Sequence, residues 1–204
     1  MTIVVGLTGG IASGKTTITK ILKRKKIPVH DSDSVVFEIY NNPSKGFINF
    51  LKKIKLDNAI VKKKINKKKI REEIFSKITK KKRLEKYLHL EVSKSRISFL
   101  NNQKKLKTKI VFLDIPLLFE NKLNNICDFV VLLIAPTAIR KKRALNRSGM
   151  DVKILNKIIK AQLGDNEKKK RSDFIIYNSG KKSLLTKKIF DIVKIILEKK
   201  WEKL

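Results

Sequence analysis

The sequence predicts an α/β protein built on an open parallel sheet flanked by helices, and three observations support this fold class. Apolar runs typical of strands buried on both faces recur along the 204 residues. Segments in which apolar residues recur at helical spacing separate these runs. A glycine-rich stretch follows the first run and leads into a helix. Strands and helices that alternate in this way are typical of parallel sheets covered by helices.

The apolar runs define the predicted strands, which are residues 2–8, 27–29, 110–115, 129–134 and 173–177. Helical spacing predicts helices at about residues 15–26, 137–147, 151–163 and from Leu184 to the end. The region from about 34 to 105 is predicted to be mostly helical. Two apolar series in that region support the prediction: Phe47, Phe50, Leu51, Ile54, and Ile70, Ile74, Ile78.

Size and composition favour one cytoplasmic domain. A chain of 204 residues that is 42% hydrophobic can bury one sizeable core. No apolar stretch approaches the roughly 20 residues of a membrane-spanning helix, and the N-terminus lacks the pattern of a signal peptide. We expect Cys127, the single cysteine, to pack in the core of a protein from a reducing compartment.

The charge of the chain is extreme. Fifty Lys and Arg residues against 18 Asp and Glu residues give a net charge of +32. Lysine is spread through the whole chain together with abundant isoleucine and asparagine, and a bias of the genome toward A/T-rich codons is the simpler hypothesis for this composition. Aromatic residues, at 7%, do not alternate with the basic runs as a base-stacking surface requires. We therefore expect no specific nucleic-acid partner, although nonspecific RNA binding at low salt is expected.

The stretch from Gly9 to Thr16 matches the phosphate-binding loop G-x-x-x-x-G-K-[ST]. Its glycines allow a tight turn that aims backbone N–H groups at phosphate oxygens, and the helix that follows presents its positive end there. Lys15 adds a full charge at the β- and γ-phosphates, and the Thr16 hydroxyl is a candidate Mg²⁺ ligand. The alternative is an ordinary glycine turn before a helix.

Carboxylates follow two of the predicted strands. Asp31 and Asp33 come after the second strand, at the end that faces the ligand crevice in open α/β sheets. Near a triphosphate they make sense if one orients or deprotonates an acceptor hydroxyl and the other helps hold Mg²⁺. Asp114 ends the strand IVFLD, where a second Mg²⁺-site carboxylate is expected. The alternatives are a helix cap at Asp31 and a structural turn at Asp114.

Three arginines occupy one predicted helix and the loop after it. Arg140, Arg143 and Arg147 are candidates to close over the phosphates and neutralise charge in the transition state. A solvated basic face is the alternative for Arg140 and Arg143, because basic residues are abundant throughout the chain. Arg147 lies at the helix end next to Ser148 and is the best candidate for a lid residue.

These residues resemble those of a known family, the bacterial dephospho-coenzyme A kinases. The motifs occur in the same order and at similar spacing from about residue 3 to residue 180: LTGGIASGKTT, VHDSD, IREEIF, LH, DIPLLFEN, ALNR, AQ and DFIIYNSG. The phosphate loop is shared by many proteins. The combination of the [ILV]-x-D-x-D element with PLLFE is far more specific.

The resemblance implies a reaction and an architecture. The family transfers the γ-phosphate of ATP to the 3′-hydroxyl of dephospho-coenzyme A in the last step of coenzyme A synthesis, with Mg²⁺. Its phosphate-loop NTPase-type fold has a five-stranded parallel core, a helical substrate domain and a lid. Here these parts of the single domain 1–204 correspond to a core of 1–32, 106–136 and 160–204, a helical acceptor domain of 33–105 and a lid of 137–159. We expect a monomer or small homo-oligomer with no membrane partner.

The resemblance also implies roles for individual residues. The catalytic residues would be Asp33, the base for the 3′-hydroxyl, with Lys15 and the lid arginine Arg147. The ATP-binding residues would be Gly9, Gly10, Ile11, Ala12, Ser13, Gly14, Lys15, Thr16, Thr17, Arg143, Asn178 and Gly180, with the segment 178–180 near the adenine. The acceptor-binding residues would be Asp31, Asp33, Arg71, His89, Pro116 and Leu117. Thr16 and Asp114 would hold the metal.

The chain departs from the family pattern at three positions. Ala12 replaces a glycine that is common in the loop, and we expect its small side chain to be tolerated. Leu90 follows His89 where the family usually has proline, which is expected to loosen a local turn, so a structural role for His89 stays open. Ser148 stands where an aspartate often follows the lid arginine, so lid closure is expected to differ.

Three other functions stay open from the residues alone. One is a different small phosphate-loop kinase that acts on a nucleotide or a sugar. Another is an RNA-associated ATPase, which the charge suggests. The third is a degenerate nucleotide-binding protein without catalysis, although the retention of Lys15, Thr16, Asp33 and Asp114 argues against it.

Overall fold

The computed structural model describes residues 1–61, 64–75 and 77–199 of the chain. Within these ranges the main sheet has five strands, all parallel: β1 (Ile3–Gly9), β2 (Val29–Asp31), β5 (Ile110–Asp114), β6 (Phe129–Ile134) and β7 (Phe174–Tyr177). A second, antiparallel sheet consists of β3 (Ile60–Val61) and β4 (Lys64–Ile65). The predicted α/β class with an open parallel sheet is confirmed.

Helices, single or in groups of two or three, separate most of the strands along the described chain. They are α1 (Lys15–Arg24), α2 (Ser32–Asn41), α3 (Lys45–Lys53), α4 (Lys67–Phe75), α5 (Ile78–Lys105), α6 (Thr137–Leu145), α7 (Val152–Lys160), α8 (Asp165–Lys170) and α9 (Lys182–Lys199). None of the helices in the described part of the chain has both the length and the apolar character of a membrane span.

The strand order is β2-β5-β1-β6-β7, with β1 at the centre. Leu7 of β1 pairs with Asp114 of β5 on one side and with Val131 of β6 on the other. Because all five strands are parallel, their carboxyl ends meet at one edge of the sheet, where ligands bind in open α/β folds. The loop after β1 starts at the middle of that edge.

The chain divides into two compact units. The sheet unit comprises Met1–Asp31 and the segment from Gln103 onward, and the helical unit comprises Ser32–Asn102. The core of the sheet unit contains the apolar face that the sequence predicts for α9, namely Leu185, Ile189, Ile192, Val193 and Ile196. Each such side chain stabilises the fold by about 1.5–3 kcal/mol when fully buried.

The helical unit has its own core. Phe47 and Leu51 of α3 and the following Ile54 are buried, as the apolar spacing predicts. Phe50 stacks on Tyr87 of α5, with ring centroids 4.2 Å apart. These contacts bring α3 and α5 together around an aromatic cluster.

Several boundaries differ from the prediction. The second strand runs from Val29 to Asp31 and not over the predicted 27–29. The prediction is wrong because β2 is an edge strand whose last two residues, His30 and Asp31, are polar and do not continue the apolar run. Ile78 is 67% exposed and begins α5, so it does not continue the series on α4, which ends at Phe75. The short β3–β4 sheet and α8 are absent from the prediction. The predicted helical end of the chain, 200–204, lies outside the described residues.

Cys127 is half-buried and donates a weak hydrogen bond to the carbonyl oxygen of Leu123.

Candidate active site

The loop between β1 and α1 carries the predicted phosphate-binding residues. Gly14 has a φ of +110° in the left-handed region and is the N-cap of α1. A Cβ at this position would also collide with the side-chain amide of Asn178, so both the backbone and the space require glycine. Within the loop the Ser13 N–H donates to the carbonyl oxygen of Gly10 at 3.1 Å. The loop therefore delivers the positive end of α1 to the ligand edge of the sheet.

Lys15 and Thr16 begin α1 directly behind this loop. The Lys15 ammonium donates to the carbonyl oxygen of Gly9 at 3.3 Å, so the side chain folds back across the loop. Thr16 is exposed, and its hydroxyl oxygen is of the kind that Mg²⁺ binds. The structure brings the loop, its lysine and its hydroxyl together within the sheet unit.

Two of the predicted carboxylates are neighbours at the same edge of the sheet. Asp31 of β2 is the register partner of Asp114 of β5, and Asp114 is also paired with Leu7 of β1. Asp114 is 6% exposed, and its Oδ2 accepts a hydrogen bond from the hydroxyl of Thr19 at 2.6 Å. This contact joins the end of β5 to α1 and fixes the orientation of the carboxylate.

Asn178 supports the loop from the end of β7. Its side-chain amide donates to the carbonyl oxygen of Ser13 at 2.8 Å, and its Oδ1 accepts from the N–H of Gly180 at 3.0 Å. Arg143 lies near the same turn, with its Nη2 3.8 Å from where a Cβ on Gly180 would stand. The hydrogen bonds therefore use both the amide nitrogen and the oxygen of the Asn178 side chain. The sequence does not predict these contacts.

The other arginines of the α6 region have different surroundings. Arg140 has a side chain that is only 17% exposed, pairs with Asp165 at 3.0 Å and lies against Gly10 of the loop. Arg147 is exposed in the turn after α6. The guanidinium of Arg140 therefore contacts the phosphate loop.

Gln162, Glu120 and Lys168 form a support for the loop that was not predicted from the sequence. Gln162 Oε1 accepts from the N–H of Ile11 at 3.1 Å. Glu120 Oε1 accepts from the N–H of Leu163 at 2.8 Å and pairs with the fully buried Lys168 at 2.9 Å. The motifs AQ and PLLFE contain Gln162 and Glu120, but contacts between residues this far apart in sequence have no local signal.

A pocket of about 300 Å³ lies within the helical unit. Asp33 in the first turn of α2 and Arg71 of α4 both line it, so two of the predicted acceptor residues share one cavity. The remaining lining residues are mostly apolar or aromatic: Val36, Phe37, Tyr40, Lys67, Ile70 and Ile74. Burial raises the pKa of Tyr40 above its ordinary value, and the charge of Arg71 partly opposes this rise.

Lys67 adds a second cation to this pocket. Its ammonium lies 4.4 Å from the ring centroid of Phe37 and 5.5 Å from that of Tyr40, and it donates to Asn41 Oδ1 at 3.0 Å. Cations over aromatic faces gain about 0.5–2 kcal/mol. The pocket thus combines flat apolar walls with Lys67, Arg71 and the carboxylate of Asp33, a set of groups suited to an anionic, ring-bearing ligand.

The dephospho-CoA kinase family model matches residues 3–183. The chain belongs to the dephospho-CoA kinase family. A dephospho-CoA kinase of Fusobacterium nucleatum is 33% identical over 190 residues, which cover 91% of this chain and 94% of that protein. That of Bartonella quintana is 33% identical over 196 residues, covering 96% and 98%. The dephospho-CoA kinase structure from Campylobacter jejuni shares the fold, with a TM-score of 0.73, 23% identity and coverage of 98% and 100%.

Ala12 is the first departure from the pattern of dephospho-CoA kinases. Its φ of +57° lies in the left-handed region, which costs a non-glycine residue about 1–2 kcal/mol and explains the preference for glycine. The Ala12 methyl group is 8% exposed and packs in a cluster with Ala144 of α6 and Leu155 of α7. This burial offsets part of the backbone cost.

His89 and Leu90 form the second departure. Both lie inside the uninterrupted helix α5 and both are exposed. The expectation of a loosened turn is wrong, because leucine lets the helix continue where proline would interrupt it. His89 is not among the described residues that line the pocket of Asp33 and Arg71.

Pro116 and Leu117 follow β5 in the sheet unit. The carbonyl oxygen of Pro116 accepts from the Thr8 hydroxyl at 3.2 Å, which holds this turn beside the end of β1. Leu117 is half-buried, and Ser148 is exposed in the turn after α6. The turn after β5 therefore has a structural link to the strand that precedes the phosphate loop.

Proposed function

We propose that this protein transfers the γ-phosphate of ATP to the 3′-hydroxyl of the ribose of dephospho-CoA, giving CoA and ADP. Membership of the dephospho-CoA kinase family supports the reaction. The observation that carries the assignment of residues is that Asp33 and Arg71 line one pocket in the helical unit. A carboxylate beside a cation suits an acceptor that carries both a hydroxyl group and negative charge.

On the donor side, the loop from Gly9 to Thr17 binds the phosphates of ATP through its backbone N–H groups and the positive end of α1. Lys15 neutralises charge on the β- and γ-phosphates, and the exposed Arg147 adds positive charge as the transition state forms. Asn178 and Gly180 form the turn next to the loop, Arg143 of α6 lies beside that turn, and these three residues contact the rest of the nucleotide. Their mutual contacts support this role.

The residues at the ligand edge fit Mg²⁺. The Thr16 hydroxyl and the Asp114 carboxylate provide hard oxygen donors, and Mg²⁺ sites commonly combine one or two carboxylates with substrate phosphates. Bound there, Mg²⁺ would neutralise charge on the phosphates of ATP. Thr19 keeps the Asp114 carboxylate in place through its 2.6 Å hydrogen bond, and Asp31 supplies a second carboxylate at the neighbouring strand position.

On the acceptor side, Asp33 orients the 3′-hydroxyl and accepts its proton as the oxygen attacks phosphorus. Arg71 holds negative charge of the acceptor, and Tyr40 and Phe37 offer flat surfaces for a ring. Asp31, His89, Pro116 and Leu117 remain proposed acceptor contacts. Positioning and charge neutralisation provide most of the rate enhancement in phosphoryl transfer.

The proposal also covers the functional parts of the chain, its cellular compartment and its oligomeric state. The acceptor part is about residues 33–105, the lid about 137–159, and the rest the nucleotide-binding core. We propose that the enzyme works in the cytoplasm as a monomer or small homo-oligomer. The single cysteine supports a reducing compartment.

A panel of acceptors tests the proposed function. Purified protein with Mg-ATP is given dephospho-CoA, CoA, a 5′-nucleotide and a hexose in separate reactions, and each product is identified by mass. We expect a single added phosphate on dephospho-CoA and none on CoA, whose 3′-position is already occupied. Phosphorylation of the nucleotide or the hexose in preference to dephospho-CoA would assign the chain to another kinase activity.

A further inference from the structure

Arg140 packs directly on the phosphate loop. A Cβ added to Gly10 would collide with Arg140 Nη1, and Gln162 Oε1 would be its next polar neighbour at 3.7 Å. The side chain of Arg140 is 17% exposed, although arginine is usually a surface residue. The guanidinium therefore lies against the loop in the space that a side chain at position 10 would occupy.

Asp165 holds the guanidinium in this place. Asp165 begins α8, and its Oδ2 accepts from Arg140 Nη2 at 3.0 Å, while the Thr137 hydroxyl lies 3.5 Å from the same nitrogen. Arg140 Nε is buried and makes no hydrogen bond among the described residues. An unsatisfied buried donor costs free energy, and the ion pair with Asp165 does not remove the cost at Nε. Ion pairing alone therefore does not account for the burial of Arg140 against the loop.

The adjacent loop residue is restrained from the same side. Gln162, which precedes Asp165 on the connection from α7 to α8, accepts from the N–H of Ile11 at 3.1 Å. Gly10 and Ile11 are thus supported in succession by side chains of α6 and of the α7–α8 connection. Both contacts lie within the sheet unit.

We propose that Arg140 is a positioning residue that holds the phosphate loop at Gly10 in its binding conformation, so that ATP meets a preformed site. The proposal rests on the proposed ATP-binding role of the loop. Arg140 acts through Gly10 and without touching the phosphates, and Asp165 acts through Arg140. Because a preorganised loop loses less freedom on binding, removal of the guanidinium weakens nucleotide binding more than it changes the acceptor side.

The first test compares Arg140→Gln with Lys141→Gln. Lys141 is exposed on the same helix, so its substitution removes the same charge without touching the loop. Calorimetric titration with Mg-ADP and the kinetics with Mg-ATP and dephospho-CoA are measured for both. We expect Arg140→Gln to weaken ADP binding and raise KM for ATP about 10-fold, with KM for dephospho-CoA unchanged and Lys141→Gln within about twofold of the parent on each.

The second test uses Gly10→Ala, which displaces the guanidinium from the other side of the same contact. Because the atom in the way is the end of a flexible side chain, the variant is expected to fold, which thermal unfolding checks. Combined with Arg140→Gln, it should weaken ADP binding by little more than either change alone, because both remove one contact. Arg140→Lys, which keeps the charge but loses the planar fork, should bind ADP nearly as weakly as Arg140→Gln.

Equal effects of Arg140→Gln and Lys141→Gln, or effects of Gly10→Ala and Arg140→Gln that multiply, would overturn the proposal. Full retention of ADP affinity in Arg140→Lys would mean that charge rather than position matters, which also overturns it. The ADP affinities of all these variants depend on nucleotide binding alone and not on turnover of dephospho-CoA. Failure of the parent protein to phosphorylate dephospho-CoA would overturn the proposed function and leave this test intact.

Discussion

Thr19 of α1 donates its hydroxyl to Asp114 of β5, with 2.6 Å between the two oxygens, in a buried contact. The two residues are 95 positions apart in the sequence. The bond ties the helix that begins at the phosphate loop to the carboxylate proposed for the metal. It also gives Thr19 a role in orienting that carboxylate.

Replacing Thr19 by valine tests this role because valine keeps the shape and removes the donor. We expect the Mg²⁺ concentration for half-maximal activity to rise about 10-fold, the lower end of the effect of removing a partner that orients a metal ligand. Activity measured against free Mg²⁺ at fixed ATP checks this. Thr186→Val, which removes a hydroxyl that donates to the carbonyl oxygen of Lys182 within α9, serves as the control. An unchanged Mg²⁺ dependence in Thr19→Val would contradict the assignment of Asp114 to the metal site.

Asp33→Asn tests the proposed base. The amide keeps the size of the side chain but cannot accept the proton of the hydroxyl, so turnover should fall by a factor of about 10²–10⁴. Binding of ATP should change little, because Asp33 lines a pocket of the helical unit. Initial rates and calorimetric titration with ATP separate the two effects. Glu38→Gln, an exposed change on the same helix, is the control. Near-normal turnover of Asp33→Asn would remove Asp33 from this role.

Lys15→Ala tests the loop assignment. Loss of the ammonium that lies across the loop should weaken ATP binding and also slow turnover, because the charge acts on both ground and transition states. Lys20→Ala removes an exposed charge from the same helix and should leave both values near those of the parent. Kinetics of Lys15→Ala that match those of Lys20→Ala would contradict the loop assignment.

Glu73 gives the helical unit a pH-dependent contribution to stability. A hydrogen bond from Asn58 at 2.9 Å and the ion pair with Lys80 at 3.1 Å lower the pKa of this carboxyl below its ordinary value of 4.5. A carboxyl whose pKa is lower in the folded state stabilises the fold above its unfolded pKa, and this contribution is lost as the pH falls through the folded pKa.

Glu73→Gln should therefore lower the melting temperature at pH 7 and have progressively less effect as the pH drops below 4.5. Thermal unfolding of the full chain across this range measures the difference. Glu72→Gln, at the exposed neighbouring position of α4, should show a smaller and less pH-dependent change. A destabilisation by Glu73→Gln that is the same at every pH would show that shape, not charge, accounts for it.

The sequence predicts most of the sheet and the phosphate loop for a physical reason. Strands of a parallel sheet are buried on both faces, so β5 and β6 read as continuous apolar runs that stand out from their surroundings. The glycine and lysine of the loop are required by backbone geometry and phosphate chemistry, so they also occur in a recognisable pattern. The face of α9 follows from helical spacing in the same way.

The parts that could not be predicted depend on contacts distant in sequence. The edge strand β2 has only three residues, two of them polar, and β3 and β4 have two residues each. Gln162 contacts Ile11 across 151 positions, and Arg140 lies in a run of basic residues that indicates a solvated face. Only the folded chain distinguishes Arg140 from its neighbour Lys141.

The most direct test of the proposed reaction is ADP release by the purified protein with Mg-ATP, with and without dephospho-CoA, while CoA is followed by mass. The proposed function predicts ADP release that depends on dephospho-CoA and is matched one-for-one by CoA. ADP release that does not depend on dephospho-CoA and rises when RNA is added would contradict it. The net charge of +32 would then be the feature that indicates the function of the protein.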